Sequence, residues 1–317
     1  MVYFQLTRGE RYVIGRRRAT GKSLREIGRC LGRSVSTISR EVQRNRCPHD
    51  GRYRVDKAHS RAMSKRSSTR KKSQFSEQEW LGMQTLLRRK WSPQQISGRR
   101  RLCGTRPISH ETIYRHVRRD RRVGGELWRH LRVMSKVGRK KRGSPATRGR
   151  LVGKRHISER PASVQGRRHF GHFEGDTVIG SDGRHCILTL VERKTRYLVI
   201  KKLSARTKEQ ASAALHEAIA ELNGRVKTIT LDNGTEFHGY QDVEQRSGIR
   251  FYFATPYHSW ERGTNENTNG LIRQYLPKGS CMRHITQADC DHIAKELNSR
   301  PRELLGFNTP AEMLRRS

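Results

Sequence analysis

Acidic residues are scarce in this chain of 317 residues, where 29 Asp and Glu stand against 68 Lys and Arg for a formal net charge of +39. A chain so one-sided repels itself unless it meets a polyanion, which points to nucleic acid as the partner. Long apolar runs are missing too. Mean hydropathy is −0.91, and the longest apolar stretch, Cys186 to Val191, is broken by Thr189, so no transmembrane helix is expected. Gln5, Arg8, Glu10 and Arg11 interrupt the first dozen residues, which therefore do not read as a secretory signal. The chain reads as soluble, without a membrane partner. Its six cysteines contain no C-x-x-C pair, which excludes a disulfide framework and fits a reducing cytosol. Cys281, His284, Cys290 and His292 cluster, but C-x2-H-x5-C-x-H matches no standard zinc spacing. Cys290, Ile293, Ala294 and Leu297 instead form one helix face, so ordinary packing is expected.

The positive charge that is present sits in one half. Residues 1–168 hold 47 Lys and Arg against 11 Asp and Glu, leaving +36 there and +3 in residues 169–317. Within the basic half, Ser23 and Glu26 form a capping box, and Leu24, Ile27 and Leu31 follow at helical spacing. Gly32 supplies a turn, and Ser34 caps a second helix carrying Val35, Ile38 and Val42. Two short helices joined through glycine read as a helix-turn-helix, whose second helix enters the major groove. Its outward positions are Ser36, Thr37, Ser39, Arg40 and Arg44, hydroxyls and cations suited to base edges and phosphates. A weaker repeat follows: Ser92, Pro93 and Gln95 open one helix, and Ser109 opens another with Ile113, Tyr114 and Val117 inward and Arg115 and Arg118 outward. The expected division is 1–58 first helix-turn-helix, 59–74 basic linker, 75–134 second helix-turn-helix, 135–168 basic linker and 169–317 catalytic domain. The linkers, rich in Lys, Arg, Ser and Gly, read as flexible.

From His169 the texture changes. Strands are expected at His172 to Ile179, His185 to Glu192, Arg196 to Leu203, Val226 to Asp232 and Ile249 to Ala254. Helices are expected at Lys208 to Leu222, Asn265 to Leu276 and Gln287 to Asn298. That order matches a ribonuclease-H-like α/β domain, so the fold class is multidomain: all-α helix-turn-helix units followed by an α/β catalytic domain.

Acids are depleted in strands, so an acid in a central one needs a reason. Asp176 lies inside the first strand on the face of Glu174, opposite Phe173, Thr177 and Ile179. Asp232 ends the fourth strand, a usual ligand position in an α/β sheet, although Asn233-Gly234 after it also suits a plain hairpin turn. Glu266 opens a polar helix face with Asn269, Gly270 and Arg273, a pattern that an ordinary surface helix shares. Together the three carboxylates suit Mg²⁺, with Mn²⁺ an alternative, and two ions about 3.5 to 4 Å apart would serve an in-line phosphoryl transfer.

The segments HFEGDTVIG, LTLVERKTRYLV, TLDNGTEF, ATPYHSWERGTNENTNGLIRQYLPKG and LNSRPRELLGFNTPAEML closely resemble the insertion-sequence-thirty family of bacterial DDE transposases, over essentially the whole chain. Phe173 and Leu231 stand where many relatives carry Trp. The resemblance implies a catalytic, metal-binding triad of Asp176, Asp232 and Glu266, with Glu174, Glu236 and Glu261 as rival acids; Glu174 is expected to tune Asp176 and the other two to lie at the surface or the DNA flank. It also implies that the N-terminal helices bind the element's terminal inverted repeats, that strand cleavage precedes strand transfer into target DNA, and that the protein acts as a multimer at the bacterial nucleoid. Arg262, Arg273 and Lys278, with Tyr257 and Trp260, are candidates for positioning DNA, the two aromatics reading more readily as buried. A DNA-binding regulator and a nuclease without strand transfer are the alternatives.

Overall fold

The computed structural model describes residues 5–69, 74–132, 153–256 and 258–317, and the chain divides into two compact units, Met1–Glu77 and Gln78–Ser317. No helix among the described residues is long and apolar enough to cross a membrane.

Among its described residues the first unit has four helices: α1 (Arg8–Ala19), α2 (Leu24–Leu31), α3 (Val35–Asn45) and α4 (Val55–Thr69). Each of the first three starts where a hydroxyl can satisfy open N–H groups. Thr7 with Glu10 and Ser23 with Glu26 form capping boxes, and Ser34 accepts from the Thr37 N–H. Gly32 closes α2 at φ 59°, a left-handed conformation that a side chain would strain. Leu6, Ile14, Ile27, Ile38 and Val42 make the small core. Beside it the buried Arg11 pairs with Glu41 at 2.7 Å, and Tyr53 donates to the same carboxylate at 3.1 Å.

The stretch from 59 expected as a linker is helical as far as Thr69, and residues 70–73 lie outside those described. The reason is tertiary. Ala58 is fully buried, and Arg61 donates to the carbonyls of Asn45 (3.1 Å) and Arg46 (2.8 Å) while Lys65 reaches that of Arg44 (2.5 Å). These cations satisfy the open carbonyls at the end of α3.

The second unit opens with α5 (Glu77–Arg88), α6 (Pro93–Leu102) and α7 (His110–Arg122). Ser92 and Gln95 cap α6 reciprocally with Pro93 in its first turn, and Ser109 caps α7. Met83, Leu87, Ile96, Ile113 and Val117 are buried among these helices. Residues 133–152, most of the second expected linker, lie outside those described; from 153 the chain carries a short helix, α8 (Ala162–Gln165).

The remaining elements are β1 (His172–Ile179), β2 (Cys186–Glu192), β3 (Leu198–Leu203), α9 (Lys208–Glu221), β4 (Thr228–Leu231), α10 (Tyr240–Ser247), β5 (Arg250–Phe253), α11 (Gly263–Ile272), α12 (Gln287–Asn298) and α13 (Pro310–Arg315). The sheet order is β3-β2-β1-β4-β5. β1–β2 and β2–β3 pair antiparallel, while β1–β4 and β4–β5 pair parallel. This is the expected ribonuclease-H-like arrangement, with β1 central. One sheet face packs Phe173, Leu188, Leu190, Ile229, Leu231 and Phe251 against α9 and α10. The other packs Val178, Ile187, Val191 and Ile200 against α11 and α12. Phe173 and Leu231 are fully buried on the first face; a Cβ on Gly175 would stand 2.5 Å from Leu231. Strand β3 starts two residues later than expected because Arg196 turns at φ 63°.

α5 and α6 are docked on the α/β sheet domain within this unit. Arg99 clasps Glu312 bidentately at 2.9 and 2.5 Å, Arg89 meets Glu296 at 2.9 Å, and Lys90 lies 4.0 Å over the Tyr275 ring. Arg300, fully buried, donates to Gln274 and the Tyr275 hydroxyl, both at 2.7 Å. A Cβ on Gly98 would stand 2.3 Å from the Phe307 ring, so glycine is what lets α6 approach.

Candidate active site

The parallel ladder of β1 and β4 pairs His172 with Thr228, Phe173 with Ile229 and Glu174 with Thr230. Continued by two residues, that register sets Asp176 opposite Asp232, just past the end of β4. The two acids do meet through a shared cation. Arg262, just before α11, places Nη1 3.5 Å from Asp176 Oδ1 and Nη2 3.5 Å from Asp232 Oδ2, and Nη1 also donates to the Gly175 carbonyl at 3.2 Å.

The remaining oxygens are held as well. Asp176 accepts from the Thr177 N–H (2.9 Å) and from Asn269 Nδ2 (2.9 Å), and Asp232 accepts from the Gly234 N–H (3.0 Å). Burial pushes the Asp176 carboxyl up to about 6; Arg262 opposes that shift and the like charge of Asp232 adds to it. Two carboxylates facing each other in a half-buried site call for a cation between them. The guanidinium found there shows that the gap admits one, and an all-oxygen donor set suits a hard divalent ion.

Behind this pair a buried network ties α11 to the sheet. Glu174, fully buried, pairs with Arg193 at 3.0 Å and accepts from the Asn265 N–H at 3.0 Å, while Asn265 Nδ2 donates to the Glu174 carbonyl at 2.9 Å. Thr189 on β2 has its hydroxyl 3.2 Å from the Asp176 carbonyl and 3.3 Å from both Asn265 Oδ1 and Asn269 Oδ1. Asn265 and Asn269, one helical turn apart, thus face the sheet. Glu266 lies beside them in the first turn of α11 with its side chain exposed. The structure brings Asp176 and Asp232 together; among the described residues no group of three His, Cys, Asp or Glu side chains is close enough to hold a metal ion jointly.

The rival acids separate clearly. Glu174 anchors Asn265 and Arg193. Glu236, expected at the surface or DNA flank, is buried: Arg206 pairs with it at 3.0 and 2.8 Å and the Thr177 hydroxyl donates at 2.6 Å. Glu261 is half-buried and accepts from the Thr255 N–H and hydroxyl at 2.7 and 3.0 Å. Trp260, expected to be buried, is 68% exposed and stacks on His258 with ring centroids 4.3 Å apart; its short helical turn projects it outward. Tyr257 lies outside the described residues. Cys290 packs in the core as expected, while Cys281, His284 and His292 are exposed.

Of the expected DNA contacts, Ser36, Arg40 and Arg44 are exposed on α3, and Thr37 and Ser39 are half-buried. The Ser36 and Thr37 hydroxyls lie 3.0 and 2.9 Å from that of Ser34. Arg115 and Arg118 are exposed on α7, with Arg118 2.8 Å from Glu111. Lys278 is exposed. Arg262 and Arg273 face inward instead, Arg262 on the acid pair and Arg273 on the Ile179 carbonyl at 3.1 Å. Sequence reasoning missed the supporting roles of Arg262, Asn265, Thr189 and Arg193. The one available signal was Asn265 and Asn269 at i,i+4 on the helix that carries Glu266.

The profile of the Helix-turn-helix domain family matches residues 3–45 and that of the Integrase core domain matches residues 166–259. The chain is 38% identical over 307 residues to the transposase for insertion sequence element IS4351 of Bacteroides fragilis, covering 97% of this chain and 94% of that protein. It is 40% identical over 328 residues to transposase InsI for insertion sequence element IS30A of Escherichia coli (strain K12), covering 98% and 83%. It is 35% identical over 323 residues to the transposase for insertion sequence element IS1086 of Cupriavidus metallidurans, covering 98% and 94%.

Proposed function

The chain belongs to the IS30 family of transposases, and on that premise we propose that Asp176, Asp232 and Glu266 are the acids with which it cuts and joins DNA. The observation that carries this reading is the meeting of Asp176 and Asp232 across the β1–β4 ladder around a shared cation. The family generally uses divalent metal ions. The three acids would hold Mg²⁺ or Mn²⁺, two ions in all, and the metal when bound polarises the attacking and leaving oxygens of an in-line phosphoryl transfer.

The protein's own groups prepare that step. Thr177 N–H and Asn269 hold the Asp176 carboxylate in one orientation, and Gly234 N–H does the same for Asp232. Glu174 and Asn265 tie the first turn of α11, and so the backbone of Glu266, to the central strand. Fixed groups lose little freedom when the scissile phosphate arrives. Water first displaces the 3′ oxygen at the element's end, and the freed 3′-hydroxyl then displaces a bridging oxygen in target DNA, with no covalent enzyme intermediate.

Binding of the terminal inverted repeats falls to Ser36, Thr37, Ser39, Arg40 and Arg44 on α3, with Arg115 and Arg118 on α7 as a second contact and the exposed Lys278 as a further one; Arg273, held on the Ile179 carbonyl, steadies α11 instead. Two ends must be joined, so the working form is a multimer on duplex DNA, at the nucleoid in the bacterial cytoplasm. A terminal-repeat oligonucleotide incubated with Mg²⁺ or Mn²⁺ and a target duplex tests the reading. Cleavage followed by joining is expected; a shift without cleavage leaves a DNA-binding regulator, and cleavage without joining leaves a nuclease. If Asp232→Asn cuts as well as the unaltered chain, the acid assignment is wrong.

A further inference from the structure

Where α3 ends and α4 crosses it, the first unit holds a groove of about 990 Å³. Arg44 and Arg46 line one wall, and Lys57, Arg61 and Lys65 line the other. The three cations of α4 are spaced four residues apart, so they share one helix face at intervals of about 6 Å along its axis. Ser60 and Ser64 fall between them and line the same groove. A helix crossing its neighbours ordinarily carries Leu or Ile at such spacing; here the stripe reads Lys, Ser, Arg, Ser, Lys. Among the described residues that line the groove none is acidic. Asp50 and Asp56, the acids beside it in sequence, are ion-paired with Arg54 and Arg8.

Three hydrogen bonds set the chemistry of the groove. Arg61 and Lys65 are drawn onto the terminal carbonyls of α3. That fixes their charge in place and masks the negative end of the α3 dipole, so an arriving anion meets cations and not carbonyl oxygens. Arg44 also stands one helical turn beyond Arg40, which extends the outward stripe of α3 to the groove. Fixed cations interleaved with hydroxyl donors match the non-bridging oxygens of phosphodiesters, which carry no sequence information.

We propose that this groove binds the phosphodiester backbone of duplex DNA beside the α3 recognition helix. The proposal rests on reading α2 and α3 as the DNA-binding pair and adds to it a site that grips without reading sequence. The stretch 59–74 is then more than a tether, because its folded part builds one wall.

Fluorescence anisotropy of the full chain on a labelled terminal-repeat duplex and on a scrambled duplex of equal length tests it across a fourfold range of salt. Lys57→Gln is expected to weaken binding to both duplexes by the same factor and to flatten the plot of log affinity against log salt by about 0.9. That is roughly a three- to fourfold smaller loss of affinity across the range. Ser64→Glu, which puts an anion in the groove at an exposed position, is expected to weaken both duplexes further. Lys22→Gln, an equal change of net charge outside the groove, is expected to keep the original slope. Lys57→Gln and Ser64→Glu chains that bind both duplexes like Lys22→Gln overturn the groove alone. An unaltered chain that binds neither duplex overturns the DNA-binding reading and the groove with it.

Discussion

Arg262 lies between Asp176 and Asp232, so on the function proposed above it competes with the divalent cation for these acids, and replacing it with glutamine should tighten metal binding. At 3.5 Å from each carboxylate, and with an effective dielectric constant of about 20, each contact has a gross Coulomb energy of about 5 kcal/mol. Partial exposure of the site and the cost of desolvating the guanidinium offset most of that. A net competition of about 1 to 3 kcal/mol is the reasonable expectation, or roughly a 5- to 150-fold change in metal affinity. Mn²⁺ titration followed by electron paramagnetic resonance reads it directly on the metal-free protein, without DNA or turnover. Arg262→Gln should bind Mn²⁺ more tightly than the unaltered chain, and its melting temperature without metal should be lower and should rise more when Mn²⁺ is added. Arg262→Lys, a point charge unable to span both acids, should fall between the two. If Arg262→Gln binds Mn²⁺ with unchanged or weaker affinity, the guanidinium does not compete for the site and the argument fails. If neither chain binds Mn²⁺ and Asp232→Asn behaves identically, the metal assignment itself is wrong.

Gly98→Ala should destabilise the protein by about 1 to 3 kcal/mol in urea unfolding, because its Cβ would overlap the Phe307 ring that α6 packs on; unchanged stability would show that this packing is looser than the structure has it. The Asp176 carboxyl, raised to about 6 from 3.8 by burial, keeps its proton in the folded state at pH values where the unfolded chain has lost it. The folded metal-free protein therefore binds more protons between those two values, and its stability should fall as pH rises from about 4 to about 6. Asp176→Asn should show a shallower fall over that window in thermal melts without metal, and an identical pH profile for both chains would refute the shift.

Much of this molecule was readable from local chemistry. Ser23, Ser34, Ser92 and Ser109 each start a helix where a hydroxyl before an apolar stripe says they should, because capping acts within one turn. β1 and α12 begin and end where the period of their apolar residues, two along the strand and 3.6 along the helix, places them. The fourth strand is shorter than expected, since Thr228, Ile229 and Thr230 pair with both β1 and β5 and Leu231 pairs with β5. The helix α10 was not placed by sequence, because its pattern is short and its buried residues, Tyr240 and Val243, are few.

Asp176 and Asp232 stood out as strand acids, and Glu266 as an acid at a helix start, by composition and motif alone. Which groups serve them depended on contacts between residues far apart in the chain. Arg262 looked like one more cation for DNA and lies on the acid pair. Glu236 looked like a surface carboxylate and is buried against Arg206. The stretch 59–74 looked flexible because Lys, Arg and Ser dominate it, yet α4 runs on to Thr69 since the end of α3 offers carbonyls for its cations. Sequence by itself determined most of the elements, the charge division and the identity of the candidate acids, since periodicity, capping and motif spacing are properties of neighbours along the chain. Only the tertiary structure decided which cation meets which carboxylate, because a charge takes its partner from whatever the fold brings within a few ångströms.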